Sequence, residues 1–264
     1  MVRIPAHDGH PPDASTWRSV LLVQADEAGP ERYRPPMSAM DDRLDRIRRA
    51  RRRLDEAGPR VTRGEGDFAR VAVPMHDGDA LRDLLRAERA RIVIEIGLGY
   101  AASALAISEA LADRSDGATQ HLVIDAFQDR FHDAGWRELT AAGLDDSCTL
   151  LRERSQTALA RLAADGFVAD AAFVDGGHAF HDVFVDLAFL RQIVRPGGLV
   201  ILDDCQWLSV ATAVRYFEVN AGWSPEATRG DTRLRAYRLP DPRVEPSFEA
   251  FEPFGVADSS EPGS

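Results

Sequence analysis

The sequence predicts an α/β fold: a doubly wound, mostly parallel seven-stranded sheet with a helical N-terminal extension. Two observations carry this. From about residue 80, short apolar runs alternate with segments of helical periodicity. The runs are continuously apolar rather than alternating, as expected of strands covered on both faces.

The elements follow in order. Residues 1–37 form an irregular, Pro-containing segment whose one apolar run, Val20–Val23, fits a docking strand or a helix equally. Residues 38–79 are the helical extension. Ser38 and Asp41 have capping-box spacing, acids fill the first turn, and Arg51, Arg52 and Arg53 are read as the last turn, complementing the helix dipole. The main domain spans 80–240. A helix with Leu81, Leu84 and Leu85 on one face precedes the strand Ile92–Ile94, and a helix through Leu105 and Leu111 leads to the strand 121–125. A helix near 133–142, the strand 148–151, a helix over 155–164 and the strand 172–175 follow. Phe180, Val183, Phe184, Leu187 and Leu190 repeat at helical spacing, Arg195-Pro196-Gly197-Gly198 ends that helix, and Leu199–Leu202 is the most apolar strand. A helix over 208–219 and strands near Trp223 and at 235–239 complete the sheet. Residues 241–264, rich in Pro, Glu, Ser and Gly, are expected to be disordered.

A chain of 264 residues suits one well-cored domain with extensions. The formal net charge of -11 argues against nucleic acid and anionic membrane as partners, because both would be repelled. Two cysteines make neither a disulfide framework nor a zinc site. The N-terminus lacks the apolar run of a signal peptide, and no apolar stretch is long enough to span a bilayer, so a cytoplasmic location is expected.

In open α/β sheets, ligands bind beyond the carboxyl ends of the strands. Here those ends read Glu95 to Gly99, Asp125, Glu153 with Ser155, Asp175, and Asp203 with Asp204. Carboxylates close nearly every strand, which marks the shared edge as a site. The loop Gly97-Leu98-Gly99-Tyr100-Ala101-Ala102 fits a dinucleotide fingerprint, a weak signal by itself. Glu95 shifts the reading toward a cationic ligand; a buried acid satisfied by backbone amides is the alternative. Gly97 and Gly99 are read as cofactor contacts, or as a plain tight turn.

With Glu95-Ile96-Gly97, Ser103 eight residues after Glu95, Ile124-Asp125, Ser155-Gln156, Asp175-Gly176-Gly177-His178 and Gly197-Gly198 before Asp203-Asp204, the chain resembles the class I methyltransferases over residues 70 to 240. It is most similar to the metal-dependent small-molecule O-methyltransferases of the catechol and macrolide-sugar types. The resemblance implies a Rossmann-like fold and S-adenosylmethionine as cofactor. It places Glu95 and Gly97 around the methionine moiety, Ser103 on its carboxylate, Asp125 on the ribose hydroxyls, and Ser155 with Gln156 beside the adenine. Ala101 or Ala102 stands where many relatives have a further glycine.

Asp203 and Asp204 follow Asp175 by 28 residues, room for one crossover, so the two strands can be neighbours. Three carboxylates at one edge repel each other unless a cation sits among them, and an all-oxygen set suits Mg²⁺. The resemblance implies Mg²⁺ at Asp175, Asp203 and Asp204. It also makes His178, in a D-x-x-H element, the general base, with helix capping as the alternative. His181 is read as a packed structural histidine, Asp182 and Asp186 as solvated, and Trp207 as either an acceptor-pocket wall or core. The expected reaction is O-methylation of a small-molecule hydroxyl, on a natural-product sugar or a phenol. A metal-independent methyltransferase, an oxidoreductase or hydroxylase on the same fold, and a binding module are the competing readings. The N-terminal helix is the candidate element for a homo-oligomer.

Overall fold

The computed structural model describes residues 37–64, 66–112 and 118–255. The irregular N-terminal segment with Val20–Val23, and residues 256–264, lie outside the described residues. The described elements are helices α1 (Met37–Ala57), α2 (Asp67–Val71) and α3 (Met75–Glu88), then β1 (Ile92–Ile96), α4 (Ala102–Ala112), β2 (Gln120–Ile124) and α5 (Ala134–Ala141). They continue with β3 (Cys148–Leu151), α6 (Ser155–Ala164), β4 (Ala169–Val174), α7 (Phe180–Ile193), β5 (Val194–Leu202), α8 (Leu208–Asn220), β6 (Ser224–Glu226) and β7 (Arg235–Arg238).

The seven strands form one sheet in the order β3-β2-β1-β4-β5-β7-β6. β1 to β5 are parallel, and β7 runs antiparallel to both β5 and β6. The expected fold class holds. The order reverses between β1 and β4, where the crevice of such a sheet opens. Alternation along the strands fills two cores. Ile94, Ile96, Ala172, Val174, Val200 and Leu202 pack under α6, α7 and α8. Val93, Ala171, Phe173, Leu199 and Ile201 face the other way, onto α3 and α4. Because successive side chains alternate, Glu95 shares its face with Val93, toward α4.

Three expectations change. Ser38 lies inside α1 rather than capping it, and the helix runs on past Arg53 to Ala57. Arg51 and Arg53 are ties, not dipole partners: Arg51 binds the buried Glu109 of α4 at 2.5 Å, and Arg53 binds the buried Glu138 of α5 at 2.6 Å, while Arg52 is exposed. Arg195–Gly198, expected to end the preceding helix, does follow its last residue, Ile193, and forms the irregular start of β5, with a register shift opposite Ala169 and Ala171. Residues 241–255, expected to be disordered, form no helix or strand but are held in place. Arg243 donates to the Gln192 and Val194 carbonyls, Asn220 pairs with Glu252, and Phe251 and Phe254 pack on Tyr216. No described helix is long and apolar enough to cross a membrane.

Candidate functional site

The parallel strands hand their hydrogen bonding on past their ends. Gly97 N donates to Ile124 O, Asp125 N to Leu151 O, Asp175 N to Ile96 O and Asp203 N to Val174 O. The strand-end residues are therefore fixed to one another, and a single cleft opens above them. It is lined by Gly97, Leu98, Gly99, Ser103, Asp125, Ser155, Gln156, Asp175, His178 and Asp204 among others, and has a volume of about 370 Å³. Pockets for drug-sized ligands run from about 300 to 1000 Å³, so the cleft is large enough to take a small molecule.

On the β1–β2–β3 side, Gly97 has φ 92, which only glycine adopts cheaply. Ala101, where a further glycine was noted as missing, also has positive φ, at 67. Asp125 accepts from Leu98 N at 3.0 Å and Gln128 Nε2 at 2.9 Å on one oxygen, and from Phe127 N at 2.7 Å on the other. Gln128, which sequence reasoning missed, also donates to Gly99 O and so ties the first loop to the second. Also missed was Tyr100. Its hydroxyl bonds Asp67, its ring meets Phe68 and Phe131 edge-on, and the latched segment supplies Arg70 to Val73 to the cleft.

Glu95 departs from expectation. It is 0% exposed and does not line the cleft. One oxygen accepts from Ser103 Oγ at 2.5 Å, and the other lies 2.8 Å from Nε2 of the buried His121, a missed residue. Burial alone would lower the His121 pKa, but Cys148 and Glu95 beside it raise it well above the ordinary value. Glu95 is thus neither satisfied by backbone amides nor open to a ligand.

Ser155 and Gln156 line the cleft as expected, each turned toward α7. Ser155 Oγ donates to Asp186 at 3.0 Å, and Gln156 Nε2 to Asp182 at 3.2 Å. Neither acid is freely solvated. Asp182 lines the cleft, and Asp186 is 3% exposed. Burial pushes the Asp186 carboxyl up to about 7, partly offset by Ser155. A carboxyl with a raised folded-state pKa contributes stability that is full below its unfolded value near 3.9 and lost as pH rises through 7. Asp186→Asn should remove that fall, by roughly 2–4 kcal/mol between pH 4 and pH 7.5. Urea unfolding of both proteins at the two pH values measures it, and parallel pH dependences would refute it.

On the β4–β5 side, ligand atoms of Asp175, His178 and Asp204 lie within 4.8 Å of one another. His178 Nε2 is 2.8 Å from Asp204 Oδ2, and that contact raises the His178 pKa and lowers that of Asp204. Burial, then the charges of Asp203, Asp204 and Glu95, hold the Asp175 carboxyl well above its usual range. Asp204 sits at φ 59, a conformation unusual for a residue with a side chain and frequent at functional positions.

Asp203 leaves the expected ligand set. Its oxygens accept from Arg233 Nε and Nη2, both at 2.7 Å, and one also accepts from Asp204 N at 2.7 Å. Arg233, just before β7, was missed; only the antiparallel return of that strand brings it to the cleft. His181, expected to be packed, has a side chain 81% exposed. Trp207 is 56% exposed, which removes the core reading.

Residues 94–205 match a family described as a methyltransferase domain. An Arabidopsis thaliana protein provisionally named a caffeoyl-CoA O-methyltransferase is 27% identical over 144 residues. That match covers 54% of this chain, and the chain spans only 58% of that protein's length. Among solved structures, the O-methyltransferase TomG of Streptomyces achromogenes, which acts in tomaymycin synthesis and was solved with S-adenosylmethionine, is similar at TM-score 0.52 and 20% identity, covering 87% of this chain and 99% of its own. The O-methyltransferase of Bacillus cereus with S-adenosylhomocysteine gives TM-score 0.52 at 15% identity, with 85% and 99% covered. The fold is the Rossmann-like methyltransferase fold.

Proposed function

We propose that this chain, which carries a methyltransferase domain, is an S-adenosylmethionine-dependent O-methyltransferase acting on a small-molecule hydroxyl with the aid of a divalent cation. The observation that carries the reading is the two-sided cleft. A glycine loop and Asp125 lie on one side, and a His178–Asp204 pair beside Asp175 lies on the other. The O-methyltransferase relatives support the same reaction class.

The donor set fits a cation. Two carboxylates and one imidazole converge, and burial together with the neighbouring carboxylates already raises the Asp175 carboxyl. Asp175 and Asp204 would hold Mg²⁺ or Mn²⁺, with Asp203 neutralised by Arg233 and outside the set. The cation would orient the acceptor hydroxyl and lower its pKa. S-adenosylmethionine would supply the electrophilic methyl group.

The chain's own residues then bind and move a proton. Asp125 and the 97–99 loop hold the cofactor at one end of the cleft, and Ser155 and Gln156 border its base. His178, with Nε2 steered by Asp204, presents Nδ1 to take the hydroxyl proton. Holding the two reactants in line supplies much of the acceleration. In a second reading His178 is a third cation ligand, because its nitrogen also lies within the 4.8 Å cluster. His178→Ala separates the two. A base variant keeps cation affinity and loses turnover, and a ligand variant loses both.

The test is calorimetry of S-adenosylhomocysteine binding, with a methyl-transfer assay on sugar and phenol acceptors before and after chelation. Binding should persist in chelator, and turnover should fall at least about tenfold and return with Mg²⁺ or Mn²⁺. Full turnover in chelator would leave a metal-independent methyltransferase, and absence of binding would remove the cofactor reading.

A further inference from the structure

Two residues that do not line the cleft hold its glycine loop against the carboxylate at the end of β2. Gln128 opens the short turn Gln128–Phe131 and is 1% exposed, and Gly135 is buried in the first turn of α5. Gln128 Nε2 donates to Gly99 O at 3.0 Å and to Asp125 Oδ2 at 2.9 Å. Leu98 N reaches the same carboxylate oxygen at 3.0 Å. Gly135 decides how near α5 comes to this junction. A Cβ there would lie 2.6 Å from Gly99 O, 2.8 Å from Leu98 Cγ and 3.2 Å from Gln128 Oε1. The loop thus packs on α5 with no room for a methyl group, and the amide bridges it to Asp125.

Hydrogen-bonding capacity fixes which way the amide lies. Its nitrogen carries two hydrogens, and both meet acceptors; a flipped amide would set oxygen against the Gly99 carbonyl. The amide oxygen fares differently. Oε1 is buried, and among the described residues none donates to it. A buried carbonyl without a donor costs free energy, so an apolar side chain of similar length would suit packing better. What the amide does, and an apolar residue cannot, is tie the Asp125 carboxylate to the loop that faces it.

We propose that Gln128 is a positioning residue for the cofactor's ribose. It touches no ligand; it holds the Asp125 carboxylate at a fixed angle to the glycine loop, so that the ribose hydroxyls meet an acceptor already in place. Gly135 supplies the space in which this tie forms. The inference rests on the cofactor reading above.

The test pairs a change in the protein with a change in the ligand. Wild type, Gln128→Met and Gln128→Glu are titrated calorimetrically with S-adenosylhomocysteine and its 2′,3′-dideoxy analogue, and urea melts follow the folding of each. Methionine nearly keeps the volume and loses both donors, while glutamate keeps the shape and turns an oxygen toward Gly99 O. A net hydrogen bond is worth roughly two- to tenfold in affinity. Wild type should therefore bind S-adenosylhomocysteine about tenfold or more tightly than the dideoxy compound. Gln128→Met should weaken S-adenosylhomocysteine by about tenfold and the dideoxy compound by no more than about twofold, so that the preference for ribose hydroxyls largely disappears. Gln128→Glu should show at least the same collapse. A merely structural role would weaken both ligands alike and keep the preference, and that result overturns the proposal. Unchanged binding in both variants overturns it too, as does a wild type that does not distinguish the two ligands. Failure of the wild type to bind S-adenosylhomocysteine at all would instead bring down the cofactor reading on which the proposal rests.

Discussion

Asp204→Asn is expected to lower methyl transfer by about two to three orders of magnitude while S-adenosylhomocysteine affinity stays within about threefold. Asparagine is the informative replacement because Asp204 sits at φ 59, which asparagine tolerates better than most residues. The variant keeps the local backbone and loses only the charge. That charge serves His178, whose Nε2 it holds at 2.8 Å, and it belongs to the carboxylate pair proposed to hold the cation. The proposed cofactor contacts follow β1, β2 and β3, whereas Asp204 follows β5, on the far side of β4. Asp203→Asn is the matched control. Asp203 is committed to Arg233, so its neutralisation should lower stability modestly, leaving Arg233 its longer ion pair with Asp77 at 3.6 Å, and spare the turnover of folded protein. Steady-state kinetics and urea melts on both variants decide the matter. If Asp203→Asn lost turnover and Asp204→Asn kept it, the roles would have to be exchanged.

The same adjacent pair shows where sequence stops informing the site. The strand ends were legible because buried parallel strands are continuous apolar runs, and each run here stops at a polar residue within about a position of the observed end. Neighbouring residues at a strand end point in different directions, and sequence does not say which of Asp203 and Asp204 faces the cleft. The deciding residue is Arg233, brought in by an antiparallel strand that carries no spacing relation to the pair. Glu95 and Ser103 were legible as a pair by their offset, but not as a pair closed on itself. The reason is His121, a lone histidine in an apolar strand, whose importance appears only when the register sets it diagonal to Glu95. Parity offered a partial signal: both are polar and occupy the same face of adjacent strands. Asp186 and residues 241–255 failed for a different reason. Composition and charge suggested solvent, but Asp186 is buried beside Ser155, and the largely exposed 241–255 segment is tied down by Arg191, Asn220 and Tyr216, all distant in sequence.

Gly97→Ala is expected to destabilise the protein by at least about 3 kcal/mol and to abolish S-adenosylhomocysteine binding. Two costs combine. At φ 92 an L side chain is strained by about 1–2 kcal/mol before it meets any neighbour. A Cβ there would also lie 2.1 Å from Asp175 O and 2.8 Å from Asp175 C. Both are backbone atoms at the end of β4, held by the bond from Asp175 N to Ile96 O, so they cannot swing aside as a side-chain tip could. Relief requires parting the ends of β1 and β4, the junction where the Gly97–Gly99 loop and Asp175 meet. Gly99→Ala provides the scale. Its Cβ would meet only Val71 Cγ1 at 3.5 Å, an ordinary contact, so the cost reduces to the positive φ of 48, about 1 kcal/mol. Urea unfolding and calorimetry on the two variants should therefore give a large loss at position 97 and a modest one at 99. Equal losses would mean that the β1–β4 junction yields more easily than its backbone contacts imply, and that the cleft is not rigidly pinned at Gly97.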